Sequence, residues 1–314
     1  MTSGEQQQGV REQSLLLAYA VMILTPLLFS TNIVFGRATV TEVAPFTLTF
    51  LRWSCCALIL APFVMKARTA VMSLITQQPL LIVILGFLGM GVSGAGPYYG
   101  LQYTTATNGT LIYTTSPIMI ILLERMFLGR SFRGRELAGV AIAFVGVAVI
   151  LFQGDFARMA SGLLNFGDLL FLLAALSWAA YSILFRDSRL SGLPIMALFG
   201  VICLAGAAML MPLSLYELLA GKRMPTTNSA WQGIAGIVMF SSLLAFSGFQ
   251  YGLRKLGPSL TGIFLYLLPP YGVLLAVLLL GEKLERYHIA GIVLVLSGVV
   301  LATFPRRRKV LRQI

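Results

Sequence analysis

Residues 80–102 read LLIVILGFLGMGVSGAGPYYGLQ, twenty-three positions without a charged side chain, with glycine, serine and proline gathered in the second half. Wound as a helix, the run is roughly 35 Å long at about 1.5 Å per residue, enough to cross the hydrocarbon layer of a bilayer, about 30 Å thick. The same texture continues on both sides. A window of about 19 residues finds ten apolar stretches, near 15–36, 45–64, 80–102, 108–127, 136–152, 166–185, 194–216, 230–251, 258–280 and 287–304. Of the 314 residues, 58% are apolar and 11% charged, and mean hydropathy is +0.87. Soluble domains carry roughly a quarter charged residues. So much apolar surface excludes a water-soluble globular protein, and the same composition excludes disorder. The sequence predicts an all-α membrane protein whose ten transmembrane helices face the lipid bilayer.

The tail of the opening stretch also reveals a repeat. Tyr99-Gly100-Leu101 returns 152 positions later as Tyr251-Gly252-Leu253, and the same shift aligns Pro117 with Pro269, Leu128-Gly129 with Leu280-Gly281, Ala138-Gly139 with Ala290-Gly291, and Gly146-Val147 with Gly298-Val299. Nearer the start the shift is 149, pairing Arg37 with Arg186 and Pro45 with Pro194. The chain divides accordingly into residues 1–152 and 153–314, with five helices in each. An odd number sends the second set into the membrane from the opposite face. The result is two inverted five-helix repeats, a plan on which alternating-access carriers are built.

Net charge is +12. Nucleic acid is one explanation of such a surplus, and the cytoplasmic loops of a membrane protein are another. If helices alternate, sixteen lysines and arginines, among them Arg125, Arg130, Arg133 and Arg135, fall on the side of both termini and six on the other. This bias places both termini in the cytoplasm and leaves no charge for nucleic acid to explain. The run Pro305-Arg306-Arg307-Arg308-Lys309 reads as a stop and headgroup anchor. The polar start, Met1–Gln13, precedes an apolar run too long for the core of a signal peptide, so the first helix is expected to stay attached.

Enzymatic chemistry finds little to stand on. His288 is the only histidine, and Cys55, Cys56 and Cys203 neither form a disulfide framework nor space like zinc ligands. No metal, cofactor or nucleophilic triad is expected. Glu124, Glu136, Asp168, Asp187, Glu217, Glu282 and Glu285 fall at or between the ends of stretches, where a carboxylate reads as solvated or facing headgroups. Gly89-Met90-Gly91-Val92-Ser93-Gly94 matches a dinucleotide fingerprint literally but lies inside an apolar helix, where glycines let another helix approach. Gly139, Gly146, Gly291 and Gly298 could likewise serve close packing within the chain or contacts between copies, so the oligomeric state stays open, a monomer included. Asn108-Gly109-Thr110 fits a glycosylation pattern but stands too near a helix start. Arg52 is the one strong charge within a span, about seven residues from its helix end, so that snorkelling and substrate contact are both open.

Aromatic and hydroxyl residues cluster beside helix breakers. Tyr99, Gln102 and Tyr103 share a helix face, as do Thr110, Tyr113 and Pro117, and Trp178, Tyr181 and Ser182, while Tyr266 and Tyr271 flank Pro269-Pro270. Prolines at repeat-related places are where a carrier would free backbone carbonyls around its site. An interfacial aromatic belt accounts for Tyr99, Tyr103, Tyr251 and Tyr287, and less well for Trp178 in mid-span.

Phe29-Ser30-Thr31-Asn32-Ile33-Val34, the PFTLTFLR stretch from Pro45 to Arg52, the run Ser177-Trp178-Ala179-Ala180-Tyr181 and the duplicated pair of glycines seven residues apart resemble EamA-type members of the drug/metabolite transporter superfamily over nearly the whole chain. Within it the chain looks most like bacterial exporters of the YddG type, which move aromatic and other neutral amino acids. The resemblance implies a ten-helix basket around a central cavity and a multi-pass carrier in the bacterial inner membrane, with a small-molecule partner such as an amino acid. On this reading Asn32, Tyr99, Tyr113, Trp178 and Tyr181 are the expected substrate contacts, and Pro117, Pro269, Gly100, Tyr251 and Gly252 the expected helix breaks and gates. The first helix offers Ser30 and Asn32 where small multidrug-type exporters use a membrane-embedded glutamate, which disfavours proton-coupled cation efflux. A drug exporter of the same fold and an intramembrane enzyme are the competing readings.

Overall fold

The computed structural model describes residues 3–104, 109, 112–152, 165–280 and 284–303. The glycosylation pattern at Asn108 and Thr110, the basic run from Pro305 to Lys309, and Glu282 lie outside them. Among the described residues all regular structure is helical: α1 (Ser3–Thr39), α2 (Pro45–Lys66), α3 (Arg68–Gln77), α4 (Pro79–Gly100), α5 (Ser116–Leu128), α6 (Gly134–Leu151), α7 (Phe166–Leu184), α8 (Ile195–Leu219), α9 (Asn228–Lys255), α10 (Pro258–Phe264, then the tight turn Leu265–Leu267, then Leu268–Leu280) and α11 (Arg286–Thr303). Eight of these are long and apolar enough to cross a membrane. The stretches expected at 108–127 and 136–152 correspond to α5 and α6, which are not among the eight. The short α3 was not expected. It is too short to span and buries only Val71 and Leu74.

Local chemistry sets the ends. Pro45, Pro79, Pro117 and Pro258 stand in the first turns of α2, α4, α5 and α10, where proline's missing N–H costs nothing. Asn165 and Asp168 form a reciprocal cap at the start of α7, with Asp168 N donating to Asn165 Oδ1 at 2.9 Å and Asn165 N to Asp168 Oδ2 at 3.1 Å. Gly257 joins α9 to α10 at φ 90°, a conformation that side chains with a Cβ rarely adopt. Large apolar side chains such as Leu58, Met126, Phe127, Leu219 and Leu278 point outward, as a lipid-facing surface requires.

The helices pair in a regular way. The first helix α1 lies against α9 and α10, α2 against α8, α4 against α7, α5 against α7 and α10, and α6 against α11. The α6–α11 contact is built on glycine. A Cβ added to Gly139 would lie 2.6 Å from Gly298 O, one on Gly146 2.7 Å from Val295 N, one on Gly291 2.8 Å from Gly146 O, and one on Gly298 2.5 Å from Ala143 N. These four glycines therefore serve packing within the chain. Gly89 and Gly94 also admit neighbours closely, the rings of Tyr181 and Trp53, whereas Gly91 meets only its own helix.

Two helices are wound differently in their middles. In α4 the segment Phe87–Val92 and in α9 the segment Ile237–Leu244 are π-helical, at nearly the same place in the two halves. A π turn shifts the hydrogen-bond ladder to i→i+5 and leaves carbonyls for other donors.

The solvated reading of the carboxylates is corrected at three positions. Glu124, Asp168 and Glu217 are buried, each because it satisfies donors at a helix end. Glu124 accepts from Ser259 N (3.2 Å), Ser259 Oγ and Arg130 Nη1 (3.0 Å), closing the start of α10. Glu217 accepts from Phe46 N (3.2 Å), Thr47 N (2.7 Å) and Thr47 Oγ1 (2.8 Å), closing the start of α2.

Candidate functional site

A cavity of about 530 Å³ lies between α1, α2, α4, α6, α7, α9, α10 and α11, with Tyr113 and Thr114 added from just before α5. It runs from Phe29, Trp178 and Phe246, partway along their helices, to Val40, Leu101, Ile150 and His288, where α1, α4 and α6 finish and α11 begins. The cavity therefore reaches the face opposite the start of α1. The other end is filled. There Tyr19 meets Phe264 edge to face at 5.9 Å, Glu124 holds Ser259, and Arg254 donates to Leu193 O at 2.8 Å and Leu190 O at 3.1 Å.

Rings form the inner wall. Trp178 stacks on Tyr181 at 5.6 Å and lies 5.2 Å from Phe246, 4.6 Å from Phe249 and 6.0 Å from Phe29, so four aromatic neighbours fix its plane. Its indole N–H is buried and has no acceptor among the described residues.

The charge in the wall comes from α2. Arg52 is buried, with Nε donating to Ser242 Oγ at 2.6 Å and Nη2 to Ser241 O at 3.2 Å, while its guanidinium carbon stands 4.5 Å from the Trp53 ring centroid. The next residue, Trp53, donates from Nε1 to Met90 O at 3.1 Å. Ser241 and Ser242 belong to the π segment of α9 and Met90 to that of α4, so consecutive side chains of one helix reach both segments. Asn32 takes the Tyr98 hydroxyl on Oδ1 at 2.9 Å, which turns its amide N–H groups to the remaining neighbours.

Of the expected substrate contacts, Asn32, Tyr113 and Trp178 line this cavity, and Tyr99 and Tyr181 do not. Tyr181 is fully buried behind Trp178, its hydroxyl accepting from Gln250 Nε2 at 2.7 Å. Tyr99 and Tyr103 do share a face, their hydroxyls 3.2 Å apart, but Tyr99 stacks on Phe46 and the face turns away from the cavity. Its neighbour Tyr98 lines the cavity instead, on a stripe with Ser93, Gly94, Pro97 and Leu101. That stripe of small and ring side chains at helical spacing was readable in principle.

Among the expected breaks and gates, Pro269 lines the cavity just after the tight turn of α10, and Pro117 is buried in the first turn of α5. Gly100 packs α4 on α7, with a Cβ 3.1 Å from the Phe171 ring, and Gly252 packs α9 on Met22 of α1. Tyr251 lies at the filled end, its ring centroid 6.0 Å from Lys255 Nζ.

The model of the EamA-like transporter family matches the chain twice, over residues 16–152 and 165–304. This chain belongs to the EamA-like transporter family. As a multi-pass EamA-like transporter it is similar to the uncharacterized transporter YetK of Bacillus subtilis, 23% identical over 96% of this chain and 91% of that protein. It is 26% identical to the uncharacterized transporter YyaM of the same organism over 70% of this chain and 72% of that one. A protein of Streptantibioticus cattleyicolor named "Probable terminal-alkyne amino-acid exporter" is 26% identical over 73% of this chain and 75% of its own. One solved crystal structure shares the fold, with a TM-score of 0.71 and 21% identity over 91% of the EamA-like chain and 96% of its own.

Proposed function

We propose that this EamA-like transporter exports aromatic and other neutral amino acids, or closely related small metabolites, across the bacterial inner membrane by alternating access. The observation that carries the reading is the cavity: aromatic walls at Phe29, Tyr113, Trp178 and Phe246 suit an apolar side chain, and Arg52 and Asn32 suit a polar head. The resemblance to YddG-type exporters and the relative named "Probable terminal-alkyne amino-acid exporter" support the same cargo.

The architecture that fits is ten membrane helices in two inverted repeats, residues 1–152 and 153–314, with α3 standing outside the count. Support comes from the two matches of the family model and from the packing, in which α4 on α7 mirrors α9 on α1, and α5 on α7 mirrors α10 on α1. The count of basic residues supports cytoplasmic termini, and the cavity then faces the periplasm.

The experiment is uptake of a labelled amino-acid panel into proteoliposomes containing only this protein. Saturable downhill movement of aromatic substrates, unaffected by an imposed pH gradient, is expected, because no acid lines the cavity among the described residues. Concentrative uptake driven by the pH gradient would refute uncoupled transport. Trp178→Ala is expected to lower aromatic uptake roughly fivefold, from about 1 kcal/mol of lost ring contact, with small aliphatic substrates less affected. Equal loss for both classes would return Trp178 to packing alone.

A further inference from the structure

The exporter reading leaves open which part of the cargo is recognised, and the polar groups of the cavity are lopsided in a way that bears on it. Among the described lining residues there is no aspartate or glutamate, yet the buried guanidinium of Arg52 is there. Its protein contacts use Nε and Nη2 on Ser242 and Ser241, and Nη1 bonds nothing among the described residues. A buried cation held by neutral acceptors alone lacks the counter-charge that would offset its desolvation. A neighbouring side chain adds donors. Asn32, whose carbonyl oxygen takes the Tyr98 hydroxyl, keeps its amide N–H groups to offer a ligand.

Resting on the exporter reading, we infer that Arg52 selects the cargo and that it reads a carboxylate carried on an aromatic or apolar body. Carboxylate oxygens supply the acceptors and the negative charge that the wall lacks, and a planar guanidinium binds them directionally. The ammonium group of an amino acid finds no carboxylate opposite it among the described lining residues and is not read. Monocarboxylates without an amine are therefore cargo too, and cations of similar shape are rejected.

The test is calorimetric binding to the full chain purified in mild detergent, with three probes of one side chain: L-phenylalanine, 3-phenylpropionate, which lacks the amine, and L-phenylalaninamide, which lacks the carboxylate. The first two are expected to bind within a few fold of each other and the amide at least tenfold more weakly, a factor of about ten being the smallest that one charge-assisted hydrogen bond supplies. Arg52→Gln should weaken both carboxylates by a similar factor, and Arg52→Lys, which keeps the charge and loses the fork, should fall between. Should Arg52→Gln not elute as folded protein, the three probes on the natural chain and Arg52→Lys decide. Amide binding as tight as phenylalanine overturns the inference while leaving the exporter reading standing. Binding of phenylalanine but not phenylpropionate overturns its amine-free part, and binding of none of the three overturns both readings.

Discussion

Gly298→Leu is expected to abolish recovery of folded protein. A Cβ at this position would lie 2.5 Å from both Gly139 O and Ala143 N, backbone atoms that cannot turn aside as a flexible side chain can. Three further glycines, 139, 146 and 291, repeat the same contact along the two helices, so α11 cannot shift away at one point without opening the whole crossing. Overpacking a tight core costs about 1–3 kcal/mol, and prying apart two backbones at such distance belongs above that range. Gly134→Ala, at a glycine with open space around it, is the control and should leave the thermal transition in place. Size-exclusion profiles and Tm in mild detergent read both outcomes. A Gly298→Leu protein with wild-type elution and Tm would mean that the two helices do not meet through their glycines.

Glu217→Ala should come next in size. This carboxylate is 6% exposed, sits in the last turn of α8 and accepts two backbone N–H groups and the Thr47 hydroxyl at the start of α2. Truncation leaves those donors unpaired in a buried place and removes a negative charge from the positive end of a helix, a loss on the order of 2–4 kcal/mol. Glu217→Gln keeps an acceptor and loses the charge, so its loss should be smaller than that of Glu217→Ala. The midpoint of thermal unfolding orders the three proteins. Equal Tm for Glu217→Ala and the natural chain would show that water replaces the carboxylate at no cost.

The helices were legible because lipid imposes so strong a rule: runs such as residues 258–280 are apolar along their whole length, and nothing else in the sequence resembles them. The four glycines of α6 and α11 were legible as positions of close approach, though not whether within the chain or between copies, and Pro117, read as a helix break, stands instead in the first turn of α5. Helix phase was not legible. Phe87–Val92 contains nothing in composition that announces a π turn, and the face that Tyr99 shares with Tyr103 carries no sign that its neighbour Tyr98 is the one turned to the cavity. Burial of Glu124 and Glu217 was equally hidden, since position at a helix end says solvated unless the partner helix start, far away in the chain, is known. Arg52 was visible as an anomaly, but its acceptors, Ser241 and Ser242, are about 190 residues further on.

The grip of α2 on both π segments has a mechanical meaning. Arg52 and Trp53 nail a crossbeam between α4 and α9, helices from different halves of the chain. At the matching positions on α8, 149 residues later, stand Val201 and Ile202, buried and without a donor to offer. The crossbeam therefore has no twin. Any motion that separates α4 from α9 breaks either the neutral bond to Met90 or the two charge-assisted bonds to Ser241 and Ser242, the latter about 1.5–3 kcal/mol each. Under the alternating access proposed above, the forward and return strokes then start from unequal ground.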